Sequence, residues 1–484
     1  MNASKQRTRN NGAAPRAAGQ PFDVVGIGFG PANLALALCL KEEPEALGAP
    51  PVDNVFLERK PDYEWHPDML LSGAEVQVPF LKDLVTLRNP TSRFTFLNYL
   101  QQQGRLIDFV NLRSWFPTRL EFNHYYRWVA AQLADHVRYG REVLEVAPVL
   151  GPERAGGDGR AGTVELVRIV ARDLATGEAE EYLARHLVVA TGATPYIPPG
   201  IDIGVTEKVF HSQGFLSEVR RHFPREDAPY RFIVVGSGQS AAEIFQYLFS
   251  HYPNAEVTAV MRRFAFKPAD ESQFVNELYA PAMTDVFFGL PEAERRALRA
   301  VHADTNYSAV DIELIHAIYK AMYEKKVVGD AKVRIRSLRE LRQLEPNGAA
   351  VVATLWNKAL GRLERMEVDG AVLATGFERP RRHPLLRDLA PFLLGNGDGT
   401  YRVGRDYRVQ SVPGFAPKVY LQGFCEGTHG IPDGLLSVLP VRSRDIVHSL
   451  LGEGGEGGAA VRDEDLVPMA AAAAFQETAG TGSD

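Results

Sequence analysis

The sequence predicts an α/β protein built from two Rossmann-like domains, with a small, mainly helical segment set against them. Three observations predict it. An apolar strand runs into a glycine-rich turn and a helix near the start, VVGIGFGPANLALAL (24–38). The same pattern returns at FIVVGSGQSAAEIFQYL (232–248). Two more apolar runs, LVVATGATPYIPP (187–199) and VDGAVLATGFERP (368–380), each end in Ala-Thr-Gly. One such domain needs only one glycine turn, so two turns point to two nucleotides held at once.

The bulk properties agree. At 484 residues the chain exceeds one ordinary core, so two or three domains are expected. It is 45% hydrophobic and 24% charged with a net charge of -6, which speaks against a nucleic-acid partner. The two cysteines, Cys39 and Cys425, offer neither a disulfide framework nor a zinc spacing, and no metal is expected. No run reaches membrane-spanning length, and the basic N-terminus lacks the apolar stretch of a secretory signal; a cytoplasmic protein is expected. The expected division is as follows. Residues 1–20 are a disordered tail; 21–205 with 385–450 form the first nucleotide domain. Residues 206–270 with 318–384 form the second, 271–317 a helical substrate segment, and 452–484 a low-complexity tail. GPERAGGDGRAG (151–162) reads as a hairpin tip.

In the first turn, Gly26, Gly28 and Gly30 permit a tight bend and close approach of backbone to a pyrophosphate. Asn33 stands where a third glycine often falls, and the following helix turns its free N–H groups toward the anion. The next strand, NVFLERK (54–60), ends at Glu58, whose carboxylate accepts from both ribose hydroxyls and repels a 2′-phosphate. That favours FAD or NAD. The second turn carries Gly236, Gly238, Gln239 and Ser240. Its next strand, AEVTAVMRR (255–263), ends in Arg262 and Arg263, and a guanidinium there suits the 2′-phosphate of NADPH. A flavoprotein with FAD first and NADPH second follows. No C-x-x-C or C-x-x-x-x-C is present, so the flavin does not pass electrons to a redox disulfide.

The stretch WHPDMLLSGAEVQVPFLKDLVTLRNPTSRFTFLNYL (65–100) closely resembles the flavin-dependent N-hydroxylating monooxygenases of siderophore biosynthesis, which hydroxylate the side-chain amine of ornithine or lysine. FVNELY (274–279), DTNYSAVD (304–311) and HGIPDGLLSVLPVRS (429–443) resemble three more segments of that family, and the likeness runs from about residue 22 to about 450. TLRNPTS looks like the ornithine branch. The resemblance implies that Lys82 pairs with the substrate α-carboxylate and that Asn276 and Asn306 hold the amino-acid end, Asn306 also serving catalysis and NADPH. It implies that Leu435 and Ser437 border the pocket near the amine. Gln77 would lie against the flavin and help position the oxygenated intermediate, with Trp65 and His66 near the FAD. Arg262 would meet the 2′-phosphate, and Arg119 would lie by the entrance. A homotetramer is implied too.

By the same resemblance NADPH reduces FAD, molecular oxygen adds as a C4a-hydroperoxyflavin, and the neutral amine takes the distal oxygen. A lysine-like amine with pKa near 10.4 is only about 0.1% neutral at pH 7 to 7.5, so a desolvating pocket is needed. Four residues depart from the family pattern: Val76 for Met, Cys425 for Asn, Gly427 for a larger polar residue, and Pro432 for Ser. They bear on flavin affinity and choice of amine. The alternatives are the same chemistry on L-lysine or on a diamine such as putrescine, or an NADPH oxidase that makes only peroxide.

Overall fold

A computed structural model describes residues 19–151 and 163–452. The expected tails lie outside the described residues, save residues 19–20 of the first and Gly452 of the second, as does the tip 152–162. The strands that flank that tip, Arg141–Leu150 and Val164–Asp173, pair antiparallel.

Two sheets organise the chain. The first has eight strands, and its through-path runs Arg408–Val409, Lys418–Leu421, Ala179–Val189, Phe22–Ile27, Asn54–Glu58, Val137–Tyr139. The strand Phe22–Ile27 lies parallel to both neighbours, Val25 opposite Val55 on one side and Leu187 on the other. Buried on both faces, such strands are continuous apolar runs rather than alternating ones. The second sheet has five strands, all parallel, in the order Val333–Ser337, Glu256–Met261, Arg231–Val235, Gly370–Leu373, Val209–His211. A three-stranded antiparallel sheet, Arg339–Asn347, Ala350–Asn357 and Arg362–Val368, is inserted in the chain between the strands Val333–Ser337 and Gly370–Leu373.

Both Ala-Thr-Gly segments leave their strands at the C-terminal edge, one per sheet. They then meet: Thr194–Pro195 pairs antiparallel with Phe377–Glu378, and the Tyr196 N–H donates to the Gly376 carbonyl at 2.9 Å. This ribbon ties the two sheets together just where each one's strands end, the edge at which nucleotides bind in such sheets.

Residues 271–317 are a chain of short helical pieces: Gln273–Asn276, Glu277–Tyr279, Met283–Gly289, Glu292–Val301 and Ala303–Thr305, then the start of the long helix Ile312–Val327. Arg405 fastens it to the first sheet's side, donating to Asp285 at 2.5 Å and Asp445 at 2.8 Å.

Candidate active site

The first glycine turn differs from its sequence reading in one respect. Gly26 is not in the bend; it is a strand residue opposite Phe56. A Cβ there would lie 2.2 Å from the Phe56 ring, so the glycine makes room for packing. Gly28 makes the bend, at φ +83, where a Cβ would also meet the Ala190 carbonyl at 2.6 Å. Gly30 caps the helix Pro31–Ala46 without any side-chain cap, and a Cβ there would meet nothing within 4 Å. Open space faces the helix's free N–H groups, and a pyrophosphate suits it. Glu58 follows at the end of its strand, accepting from the Phe29 N–H at 2.6 Å and the Lys60 N–H at 2.9 Å. Each carboxylate oxygen keeps a lone pair for a ribose hydroxyl.

Asn33 braces this turn. It is fully buried, and its side chain stitches the turn from beneath, donating to the Gly28 carbonyl at 2.7 Å. Gln422 donates to its Oδ1 at 2.7 Å, and Gln422 accepts in turn from Arg442 at 3.2 Å. Arg442 pairs with Asp433 at 3.0 Å, both side chains almost wholly buried. Asp433 also accepts from the Cys425 N–H at 2.6 Å. The first turn is thus held by residues from the far end of the chain.

The second turn is tighter. Gly236 sits at φ +149, and a Cβ there would lie 2.2 Å from the Ala374 carbonyl of the second Ala-Thr-Gly segment. Gly238 caps the helix Gln239–His251, again with no side-chain cap, and lies against Ser308. Ser240 is the helix's second residue. The Gln239 side chain, however, turns away from the helix end: its amide donates to Glu243 at 2.9 Å and Asp311 at 2.7 Å, leaving its backbone N–H for a phosphate. Arg262 is exposed immediately after the strand Glu256–Met261, and Arg263 donates to the Ser308 carbonyl at 3.3 Å.

Lys82 lies on an irregular segment that Asp83 locks in place. The buried Asp83 carboxylate accepts from the backbone N–H groups of Val85, Thr86 and Phe96 at 2.9, 2.6 and 2.7 Å. The Lys82 ammonium stands 5.6 Å from the centre of the Tyr279 ring. Burial pulls its pKa below the ordinary lysine value, and no carboxylate among the described residues pairs with it. The Tyr279 hydroxyl donates to Thr305 at 2.6 Å, next to Asn306. Asn276, three residues before Tyr279, is exposed and donates to the Glu271 carbonyl at 2.9 Å. Tyr279 therefore joins Lys82 to the pieces that carry Asn276 and Asn306. The turn Glu277–Tyr279 packs against the turn Ile431–Gly434, which leads into Leu435 and the buried Ser437.

Gln77 is exposed, and its amide donates to Asp311 at 2.7 Å. Beside it the buried Val76 donates its N–H to the Pro117 carbonyl at 2.9 Å, and the Arg119 N–H reaches the Ala74 carbonyl at 2.8 Å. One short ribbon thus carries both Gln77 and Arg119. Arg119 clasps Glu243 with two bonds of 2.8 and 2.6 Å. Trp65 packs into the first core, its ring 5.3 Å from that of Tyr126, and His66 is exposed at φ +48. Of the departures, Cys425 is buried and burial pushes its thiol pKa well up, so it is inert. Pro432 is buried, and Gly427 is exposed with open space around it.

Sequence reasoning gave no role to Tyr279, Glu243 or Asp311. Tyr279 and Asp311 each close a segment quoted above, FVNELY and DTNYSAVD, but only the fold brings them to Lys82 and Gln77.

The comparisons with known proteins decide the family. Residues 20–379 match the model of the L-lysine 6-monooxygenase/L-ornithine 5-monooxygenase family. The chain belongs to this family. An L-ornithine N(5)-monooxygenase of Pseudomonas aeruginosa is 40% identical over 88% of this chain and 93% of its own length. Among solved structures, the ornithine hydroxylase of the same organism is 40% identical with a TM-score of 0.82, over 90% of this chain and 99% of that one. An ornithine N-hydroxylase of Kutzneria sp. 744, whose title names reduced FAD, NADP+ and L-ornithine, is 36% identical with a TM-score of 0.83, over 90% of this chain and all of that one. As a member of the lysine/ornithine monooxygenase family, the chain is a flavin-dependent amine monooxygenase that uses FAD and NADPH. Among the described residues no helix is long and apolar enough to cross a membrane.

Proposed function

We propose that this monooxygenase hydroxylates the side-chain amine of L-ornithine, in siderophore or related biosynthesis, with FAD at the first glycine turn and NADPH at the second. One observation carries the choice of an amino acid: the Lys82 ammonium is half-buried, with no acidic partner among the described residues. A buried cation left unpaired is costly, and a substrate α-carboxylate relieves it. A diamine has no such group.

The two bound dinucleotides supply reducing equivalents and activate oxygen. The chain's own residues bind and orient. Lys82 takes the carboxylate, and Asn276 and Asn306 hold the amino-acid end. Leu435 and Ser437 lie near the reacting amine, where exclusion of water favours its neutral form. Gln77 faces the flavin. Trp65 and His66 lie on the flavin side, and Arg262 reads the 2′-phosphate. The first sheet with the helix Leu439–Leu451 is the FAD domain, the second sheet the NADPH domain, and 271–317 the substrate segment. Two buried, free cysteines suit a reducing cytoplasm, and the family resemblance supports a homotetramer.

A substrate panel tests this reading. L-Ornithine, L-lysine, putrescine and cadaverine are compared for hydroxylamine formed per NADPH consumed. Ornithine should give tight coupling and the diamines little product. Coupled turnover of a diamine in preference to ornithine would replace the amino-acid assignment.

A further inference from the structure

The aspartate that opens the helix Ile312–Val327 does not do what aspartate does at that position. Asp311 is the N-cap residue, yet its side chain makes no capping hydrogen bond. Its two oxygens are instead divided between two distant glutamines. Oδ1 accepts from Gln77 Nε2 and Oδ2 from Gln239 Nε2, each at 2.7 Å. The Asp311 N–H donates to Gln239 Oε1 at 2.9 Å, so both ends of that amide are held by one residue. Gln239 donates also to Glu243, which Arg119 grips.

A carboxylate only accepts. It therefore dictates the polarity of any amide it touches, since each glutamine must turn its NH2 toward Asp311. For Gln77 this leaves Oε1 directed away from Asp311. We propose that Asp311 is a positioning residue that holds Gln77 as a hydrogen-bond acceptor toward the flavin, and that it couples this orientation to the first turn of the NADPH-side helix. The proposal rests on the placement of Gln77 at the flavin given above. Three parts of the chain meet at this carboxylate: the ribbon bearing Gln77, the helix after the second glycine turn, and the substrate segment's last element. An acceptor fixed in this way can hold an N–H or O–H donor in line for oxygen transfer, and a donor there would not.

The two oxygens make a sharp test possible. In Asp311→Asn only one oxygen remains. Gln239 is pinned from three sides, so the amide oxygen stays with it and the new NH2 faces Gln77. Gln77 then flips and presents its own NH2. Adding Gln77→Glu restores an acceptor-only side chain opposite that NH2. Each variant is purified as the holoenzyme, with flavin content and Tm checked. Hydroxylamine and peroxide are measured per NADPH with L-ornithine, and peroxide release is timed without substrate.

Asp311→Asn should keep consuming NADPH while the ratio of hydroxylamine to peroxide falls about tenfold, the scale of one charge-assisted hydrogen bond. Peroxide release without substrate should quicken to match. Asp311→Asn with Gln77→Glu should recover most of the coupling, and Gln77→Ala should add nothing to Asp311→Asn. A folded Asp311→Asn enzyme with wild-type coupling overturns the proposal, as does uncoupling that Gln77→Glu fails to rescue. Wild-type protein that makes no hydroxylamine would count against the proposed substrate instead. The timed peroxide release would still decide the role of Asp311.

Discussion

The Arg119 guanidinium holds both oxygens of Glu243, at 2.8 and 2.6 Å, in a bidentate pair whose side chains are only 13% and 5% exposed. Arg119 begins a helix beside the first sheet, and Glu243 lies in the helix after the second glycine turn. Glu243→Ala strands the guanidinium with one further acceptor, the Met69 carbonyl at 3.1 Å. Stability should fall by about 3–5 kcal/mol, the cost of breaking a buried pair, measured by denaturant titration of the holoenzyme. A loss below about 1 kcal/mol would mean that water reaches the pair.

Lys82→Ala should leave flavin reduction by NADPH intact. Hydroxylation should fall and peroxide should take its place, because the amine is no longer held in line. Anaerobic reduction rates and product ratios with L-ornithine check this. An unchanged ornithine KM with full coupling would move the carboxylate site elsewhere.

The lowered pKa of Lys82 has a pH consequence. For a lysine depressed in the folded state, the charged form is lost as pH rises through the lowered value, below the ordinary lysine pKa. Binding of a carboxylate needs that charge, so the ornithine Kd should rise on the alkaline side earlier than a normal lysine would allow. Lys82→Arg keeps its charge and should carry binding to higher pH. The substrate's own titration is common to both proteins, so the difference isolates residue 82. Identical alkaline limbs would refute it.

The two glycine turns should fail separately. Gly30→Ala adds a methyl that meets nothing within 4 Å, so the fold should survive while FAD retention drops. Gly236→Ala drives a Cβ to within 2.2 Å of the Ala374 carbonyl, so it should raise the NADPH KM and lower stability with FAD still bound. Flavin content after gel filtration and steady-state kinetics separate the two.

Arg262→Ala should raise the KM for NADPH about 10- to 150-fold and leave that for NADH nearly unchanged, the worth of a charge-assisted contact at the 2′-phosphate. Equal effects on both cofactors would pass the role to Arg263.

Much of this was legible in the sequence because the signals are local. A strand, a glycine turn and a helix announce themselves within fifteen or so residues, and Glu58 and Arg262 fall at the ends of the very next strands. Gly26 was misread because spacing alone does not separate a bend glycine from one that makes room for Phe56. Asn33 was legible as a residue of the turn and helix, but its partner Gln422 was not, since it lies 389 residues away. Tyr279 and Asp311 were within quoted segments, yet their work depends on which side chain the fold brings opposite. Periodicity carries no trace of such pairings.

The bond between Asn33 and Gln422 also sets an order of events during synthesis. The first glycine turn is made 389 residues ahead of Gln422, and Arg442 follows later still. At about 5–20 residues per second, a gap of 389 residues is roughly 20–80 s. Throughout that interval the turn lacks the side chains that brace it from below, and its sheet lacks the strand Lys418–Leu421. A nascent chain therefore holds the first glycine turn well before it holds the side chains that brace that turn in the finished fold.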